Sequence, residues 1–326
     1  MSENAQKGKK SFGQIMSKFS LLFIVIIFMA ICSLANPNFL TPNNLINILK
    51  QNSVNIILAL GAMILITAGL LDLAAGSVVA CSGCLAILFY SNVCENVALA
   101  LVASVVVAVI WNLISGVIVT TFKAPPFIAT LATQTMARGF ILYVCNGQNI
   151  YGLGNIPVLG QSSIGFMPVP AITMLICFAA VWYLMKQTKL GRSFFAIGGN
   201  ESAAISAGIS VNRNKMLAYI INGVLVGIAG ITYVARVNSG VVNGAQSYEF
   251  DAMTATIVGG TSFSGGVSSP FGTLLGALLV GFLANIMNLV GVNSYLQQFI
   301  KGLIIALAVI WDIYSKNRKT YKKGKN

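Results

Sequence analysis

Glu249 and Asp251 are the one close pair among the seven acids of this chain, and no histidine accompanies them. The commonest general base and metal ligand is therefore missing. Cys81 and Cys84 stand i and i+3 in an apolar run and would share one helix face. With no third or fourth ligand nearby, they predict small apolar packing and no metal site. The pattern G-x-x-x-x-G-K-[ST] does not occur, so the chain is not expected to bind and hydrolyse ATP itself. The pairs Gly198-Gly199, Gly259-Gly260 and Gly265-Gly266 lack that lysine and predict close packing and tight turns. What remains is hydrogen bonding and charge within apolar segments, from Asn112, Gln134, Arg138, Asn222, Asn285 and Asn288. Such groups could contact a solute along a path, or hold one helix to another. No cofactor is expected.

The elements that must position these residues are membrane helices. Of 326 residues, 56% are hydrophobic and 8% charged, against roughly 25% charged in a soluble domain. Long unbroken apolar runs predict an all-α polytopic membrane protein, a single transmembrane domain over 1–326. We read about ten transmembrane helices: 19–35, 53–71, 73–90, 97–121, 126–145, 169–185, 216–235, 252–263, 271–289 and 296–313. The eighth is short and glycine-rich at its end, so it is a crossing that is broken or bent. Without a clear cleavage site after it, the first is a retained helix and not a signal peptide.

The basic residues set the orientation. With the N-terminus inside, sixteen of the twenty fall on one side. They lie in the N-terminal stretch 1–18, at Lys123, in the segment 186–215 and in the tail 314–326. This asymmetry predicts that both termini are cytoplasmic. It also argues against nucleic acid, because no basic surface interleaved with aromatics is visible.

Local signals refine the reading. Thr41-Pro42 resembles a helix start, with a short interfacial helix over Leu45–Leu49 before the second span. Glycines and prolines over Asn146–Pro168 predict an outer loop. Cys94 and Cys145 both fall at outer span ends, which permits a disulfide that nothing else in the sequence supports. Asp72 is expected to cap the helix start at Gly76-Ser77 or a backbone turn. Arg138 would cost ~2.5–3.5 kcal/mol at mid-bilayer, so it should face protein or water, and we expect an ion pair with Glu249 or Asp251.

Three polar motifs stand out: Gly69-Leu70-Leu71-Asp72-Leu73-Ala74-Ala75-Gly76-Ser77; Tyr248-Glu249-Phe250-Asp251-Ala252 followed by Val258-Gly259-Gly260-Thr261-Ser262-Phe263-Ser264-Gly265-Gly266; and Ala196-Ile197-Gly198-Gly199-Asn200-Glu201-Ser202-Ala203-Ala204 on to Gly208-Ile209. With Asn44–Leu49 and Pro126–Leu131 they resemble, in order and spacing, the permease subunits of bacterial ABC importers for ribose- and galactose-type monosaccharides. The resemblance covers nearly the whole chain. It departs at Ala74, where the family usually has serine after Asp-Leu.

The resemblance implies an ATP-driven monosaccharide permease subunit with several partners. These are a second permease copy, two ABC ATPase subunits or one tandem ATPase, and an extracytoplasmic sugar-binding protein. Asn200, Glu201, Ala203, Ala204 and Gly208 would form the coupling helix inserted into the ATPase. Related permeases carry nucleosides, autoinducer-2 or branched-chain amino acids, and these remain alternatives. An ion-coupled secondary transporter is a further one, although such proteins place acids or histidines at the midplane, and here the acids sit near span ends.

Overall fold

The computed structural model describes the backbone of residues 12–323 and the side chains of 21–310 and 314. Residues 1–11 of the basic N-terminal stretch and 324–326 of the tail lie outside the described residues. Thirteen helices follow in order: α1 Phe12–Ala35, α2 Pro42–Thr67, α3 Ala75–Asn92, α4 Val97–Thr120, α5 Pro126–Val144, α6 Val158–Gln161, α7 Val169–Gln187, α8 Lys189–Gly199, α9 Glu201–Ser206, α10 Val211–Val237, α11 Tyr248–Val258, α12 Pro270–Leu289 and α13 Ser294–Lys323. One hairpin, β1 Ser163–Ile164 with β2 Met167–Pro168, follows α6. Among the described residues, seven helices are long and apolar enough to cross a membrane. They are α2, α3, α4, α5, α7, α10 and α12, with shorter apolar stretches at Leu21–Ala35 and Ser294–Ile310.

Burial sorts these helices into layers. The apolar windows of α2, α3 and α10 are each 72% buried, whereas those of α4, α5, α7 and α12 are 22–39% buried. The first three form the core, and the apolar outer faces of the others suit lipid. Small residues allow the core helices to touch. A Cβ on Gly227 would meet the Ser104 carbonyl of α4 at 2.9 Å, and one on Gly83 of α3 would meet the Gly230 carbonyl at 2.7 Å. This is the close approach that drives helix association where the hydrophobic effect is absent.

Several expectations are corrected. The interfacial helix at Leu45–Leu49 is not separate: α2 runs unbroken from Pro42 through the second span. Thr41 precedes it, with Pro42 in the first turn, but the Thr41 hydroxyl donates to the Asn38 carbonyl and caps nothing. Cys94 and Cys145 are both free thiols. The eighth span is not a crossing helix over 252–263. Its helix, α11, has 11 residues, about 16 Å at 1.5 Å per residue, half of what a crossing needs.

That short helix belongs to a paired arrangement. The chain leaves α2 at Thr67, beside Gly198 of α8, and runs non-helically over 68–74 before α3 begins. Residues 238–247 leave α10 beside Ile150 and run non-helically to the start of α11. The starts of α3 and α11 meet, with Ala245 and Glu249 against Gly76. From that point α3 runs toward the loop end, where Tyr90 accepts from the Asn155 amide. α11 runs toward the end carrying α8 and α9, where Gly265 and Gly266 lie on Gly198 and Gly199.

A lateral tie fixes α11 to the last helix. Lys301 of α13 donates to the Asp251 carboxylate at 2.7 Å, and the Asp251 side chain is 7% exposed. Lys301→Met strands that acid, so it should destabilise the purified protein by about 3–5 kcal/mol. Asp251→Leu with Lys301→Met should recover most of the loss. Thermal unfolding of the single and double variants in detergent measures both.

Candidate functional site

Non-helical backbone inside a membrane bundle needs hydrogen-bond partners beyond its own chain neighbours. The two breaks recruit them from distant side chains. Arg138 of α5 donates to the carbonyls of Val242 at 2.7 Å and Gly244 at 3.0 Å. The Val242 amide donates to Asn149, and the Ala245 amide donates to the Tyr233 hydroxyl, each at 3.2 Å. In the other break, Asp72 accepts from the Ala74 amide at 2.8 Å, the expected turn cap. Tyr219 donates to the Leu71 carbonyl at 3.1 Å.

The expected ion pair of Arg138 with Glu249 or Asp251 is not formed. Nη1 of Arg138 donates to two carbonyls, and Asp251 is held by Lys301. Glu249 accepts a long bond from Gln134, at 3.4 Å, and its second oxygen has no hydrogen-bond partner. One terminal NH2 group carries two hydrogens and so answers both carbonyls of the unwound backbone.

Beside the second break lies an open cavity of about 620 Å³. Its walls come from α3 (Ser77), α5 (Gln134, Thr135, Arg138, Gly139, Leu142), the extended segment (Asn243, Gln246, Ser247) and α11 (Glu249, Phe250). Amide, hydroxyl, guanidinium and carboxylate groups thus surround one space that an aromatic ring also borders. This mixture can exchange hydrogen bonds with a polyhydroxylated or otherwise polar solute.

Of the six path candidates, the structure brings Gln134 and Arg138 to this cavity. Asn112 and Asn222 are each 2% exposed and form a chain with Asp72. Asn222 donates to the Asp72 carboxylate at 2.7 Å and to Asn112 at 2.8 Å. They hold α4, α10 and the first break together. Asn285 exchanges two hydrogen bonds with Asn44 of α2, and Asn288 accepts from Gln297. Sequence reasoning missed Ser77, Asn243, Gln246, Ser247 and Phe250 as wall residues. The signal was the glycine-bearing polar run 238–247 between an apolar span and Tyr248, where neither an apolar period nor a charge cluster drew attention.

The motif at 196–209 folds as two short helices. Asn200 accepts from the Ala203 amide at 2.9 Å and so caps α9. Glu201 pairs with Lys215 of α10 at 2.8 Å. Ala204 is buried with Ile197 and Val211. Ala203, Ile205, Ala207 and Gly208 are exposed. Ala204 therefore anchors the segment, and the rest of α9 with the turn after it is presented outward.

A family model described as a branched-chain amino acid transport system permease component matches residues 44–309. The chain is 40% identical over 303 residues to the ribose import permease protein RbsC of Bacillus subtilis (strain 168), covering 92% of each. It is 38% identical over 319 residues to RbsC of Escherichia coli (strain K12), covering 96% of this chain and 99% of that protein. The galactose/methyl galactoside import permease protein MglC of Salmonella typhimurium is 34% identical over 336 residues, covering 95% and 98%. No solved structure matches. With one family model spanning most of its length, the chain belongs to the permease-component family of branched-chain amino acid transport systems.

Proposed function

We propose that this chain is the membrane-spanning permease subunit of an ATP-driven importer for a ribose-type monosaccharide, in the bacterial cytoplasmic membrane. The observation that carries this reading is near-full-length similarity to ribose import permeases, joined to a polar cavity between the broken spans. Hydrolysis belongs to separate ATPase subunits, two copies or one tandem chain, docked on the outward face of α9. An extracytoplasmic binding protein delivers the sugar at the loop end, and a second permease copy completes the path. Both termini and α9 lie in the cytoplasm, in keeping with the basic residues of 186–215. On this reading the eighth of ten crossings is composite: an extended outer half, 238–247, and a helical inner half, α11.

The test is uptake into vesicles holding the permease with its ATPase and binding protein. Ribose should enter only with internal ATP, ahead of allose and galactose. Uptake that persists without the ATPase would establish an ion-coupled carrier instead. In the same vesicles a cysteine at position 206 should react with impermeant maleimide only from the ATPase side.

A further inference from the structure

The end of α8 meets both broken spans backbone to backbone. A Cβ on Gly198 would overlap the Thr67 carbonyl and lie 2.7 Å from the Gly266 amide nitrogen. One on Gly265 would lie 2.9 Å from the Gly198 oxygen, and one on Gly266 would lie 2.7 Å from the Gly199 Cα. Gly265 and Gly266 both take left-handed φ angles, 82° and 74°. Hydrogen bonds close the same junction independently. The Gly266 amide donates to the Thr67 carbonyl at 3.0 Å, and Thr67 and Ser268 share a side-chain bond at 2.7 Å.

Each strand of the junction leads to the cavity. Thr67 ends α2 and feeds the break that holds Asp72 and starts α3, with Ser77 in its first turn. Gly265 and Gly266 lie on the loop after α11, whose first turn carries Glu249. Gly198 itself stands two residues before Asn200, the cap of α9. No side chain intervenes, so a displacement of α9 has no rotamer in which to be absorbed. Packed contacts of this kind switch between arrangements instead of deforming smoothly.

We propose that Gly198 is a positioning residue of the transport cycle, passing movement of α9 through Thr67 and Gly266 to α3 and α11, the helices that wall the cavity. This rests on the reading of α9 as the ATPase contact. The experiment uses the full complex in vesicles and reads sugar imported per ATP hydrolysed, with ATPase co-purification as a separate measure. Gly198→Ala should keep the ATPase bound yet lower that ratio by about tenfold or more. Gly199→Ala, whose Cβ meets nothing within 4 Å, should behave as wild type. A ratio within about twofold of wild type in Gly198→Ala overturns the proposal.

If Gly198→Ala does not assemble, Ser268→Ala decides the matter, because it removes the Thr67 bond without adding bulk. A several-fold fall in the ratio supports the junction, and an unchanged ratio overturns it. Failure of the α9 reading is distinguishable: there, a bulky substitution on the exposed face of α9 leaves ATPase binding intact.

Discussion

Gly208→Arg should abolish coupled transport while the permease itself stays folded. Gly208 has φ +78°, is exposed, and a Cβ there meets nothing within 4 Å. Within this chain, a side chain at 208 costs only the left-handed backbone penalty, about 1 kcal/mol. The face it enters is another matter. Ala203 of α9 and Ala207 and Gly208 just after it are exposed, and their small size permits a partner to approach closely. A guanidinium there blocks that approach and demands solvation at a contact that should be dry. Loss of a central docking contact costs about 3 kcal/mol or more, which is about a hundredfold in affinity. ATP-dependent uptake should fall in step, with the thermal midpoint shifted by only a few degrees. Gly208→Ala separates the causes, since it carries the backbone penalty without the bulk and should retain most uptake. Wild-type ATPase co-purification and uptake in Gly208→Arg would remove α9 from the interface.

Much of the scaffold was readable because hydropathy and chain punctuation are local signals. The long apolar runs became helices, although α1, α2 and α13 extend seven to eleven residues beyond the expected bounds at one end. Asn200 and Asp72 became caps because a short polar side chain before a helix has a nearby amide to accept from. The breaks were not readable. The break at 238–247 exists because Arg138, 104 residues away from Val242, answers its carbonyls, and a local pattern cannot show such a partner. The same gap explains the asparagines. Their presence within apolar runs was plain, but Asn222 finds Asp72, 150 residues away, and Asn285 finds Asn44, 241 residues away. Polar residues that looked like a path are, in four of six cases, ties between elements. The ion pair expected for Arg138 failed for a related reason: charge complementarity is visible in sequence, whereas the need of unwound backbone for donors is not.

That substitution of carbonyls for carboxylates makes Arg138 the most consequential side chain in the cavity. Arg138→Met removes both donors to the extended segment and leaves the Val242 and Gly244 carbonyls unanswered. An unsatisfied buried group costs about 1–3 kcal/mol, so the two together should lower stability by about 2–6 kcal/mol. The functional loss should be larger than the stability loss. Asn243, Gln246 and Ser247 reach the cavity from this segment, and displacing such groups by an ångström can cost about 100-fold in rate. Arg138→Lys keeps a charged nitrogen able to donate twice, but on a stem one atom shorter than the one that carries Nη1 to the two carbonyls, so it should retain only part of the activity. Glu249→Gln separates this account from the ion-pair account. If Arg138 is held by carbonyls, neutralising Glu249 leaves its two bonds in place and shifts the thermal midpoint little. If the Glu249 charge holds Arg138, the same substitution should destabilise the protein as much as Arg138→Met does. Thermal unfolding of the three variants, read beside ATP-dependent uptake, decides between backbone support and charge pairing as the reason an arginine stands at this depth.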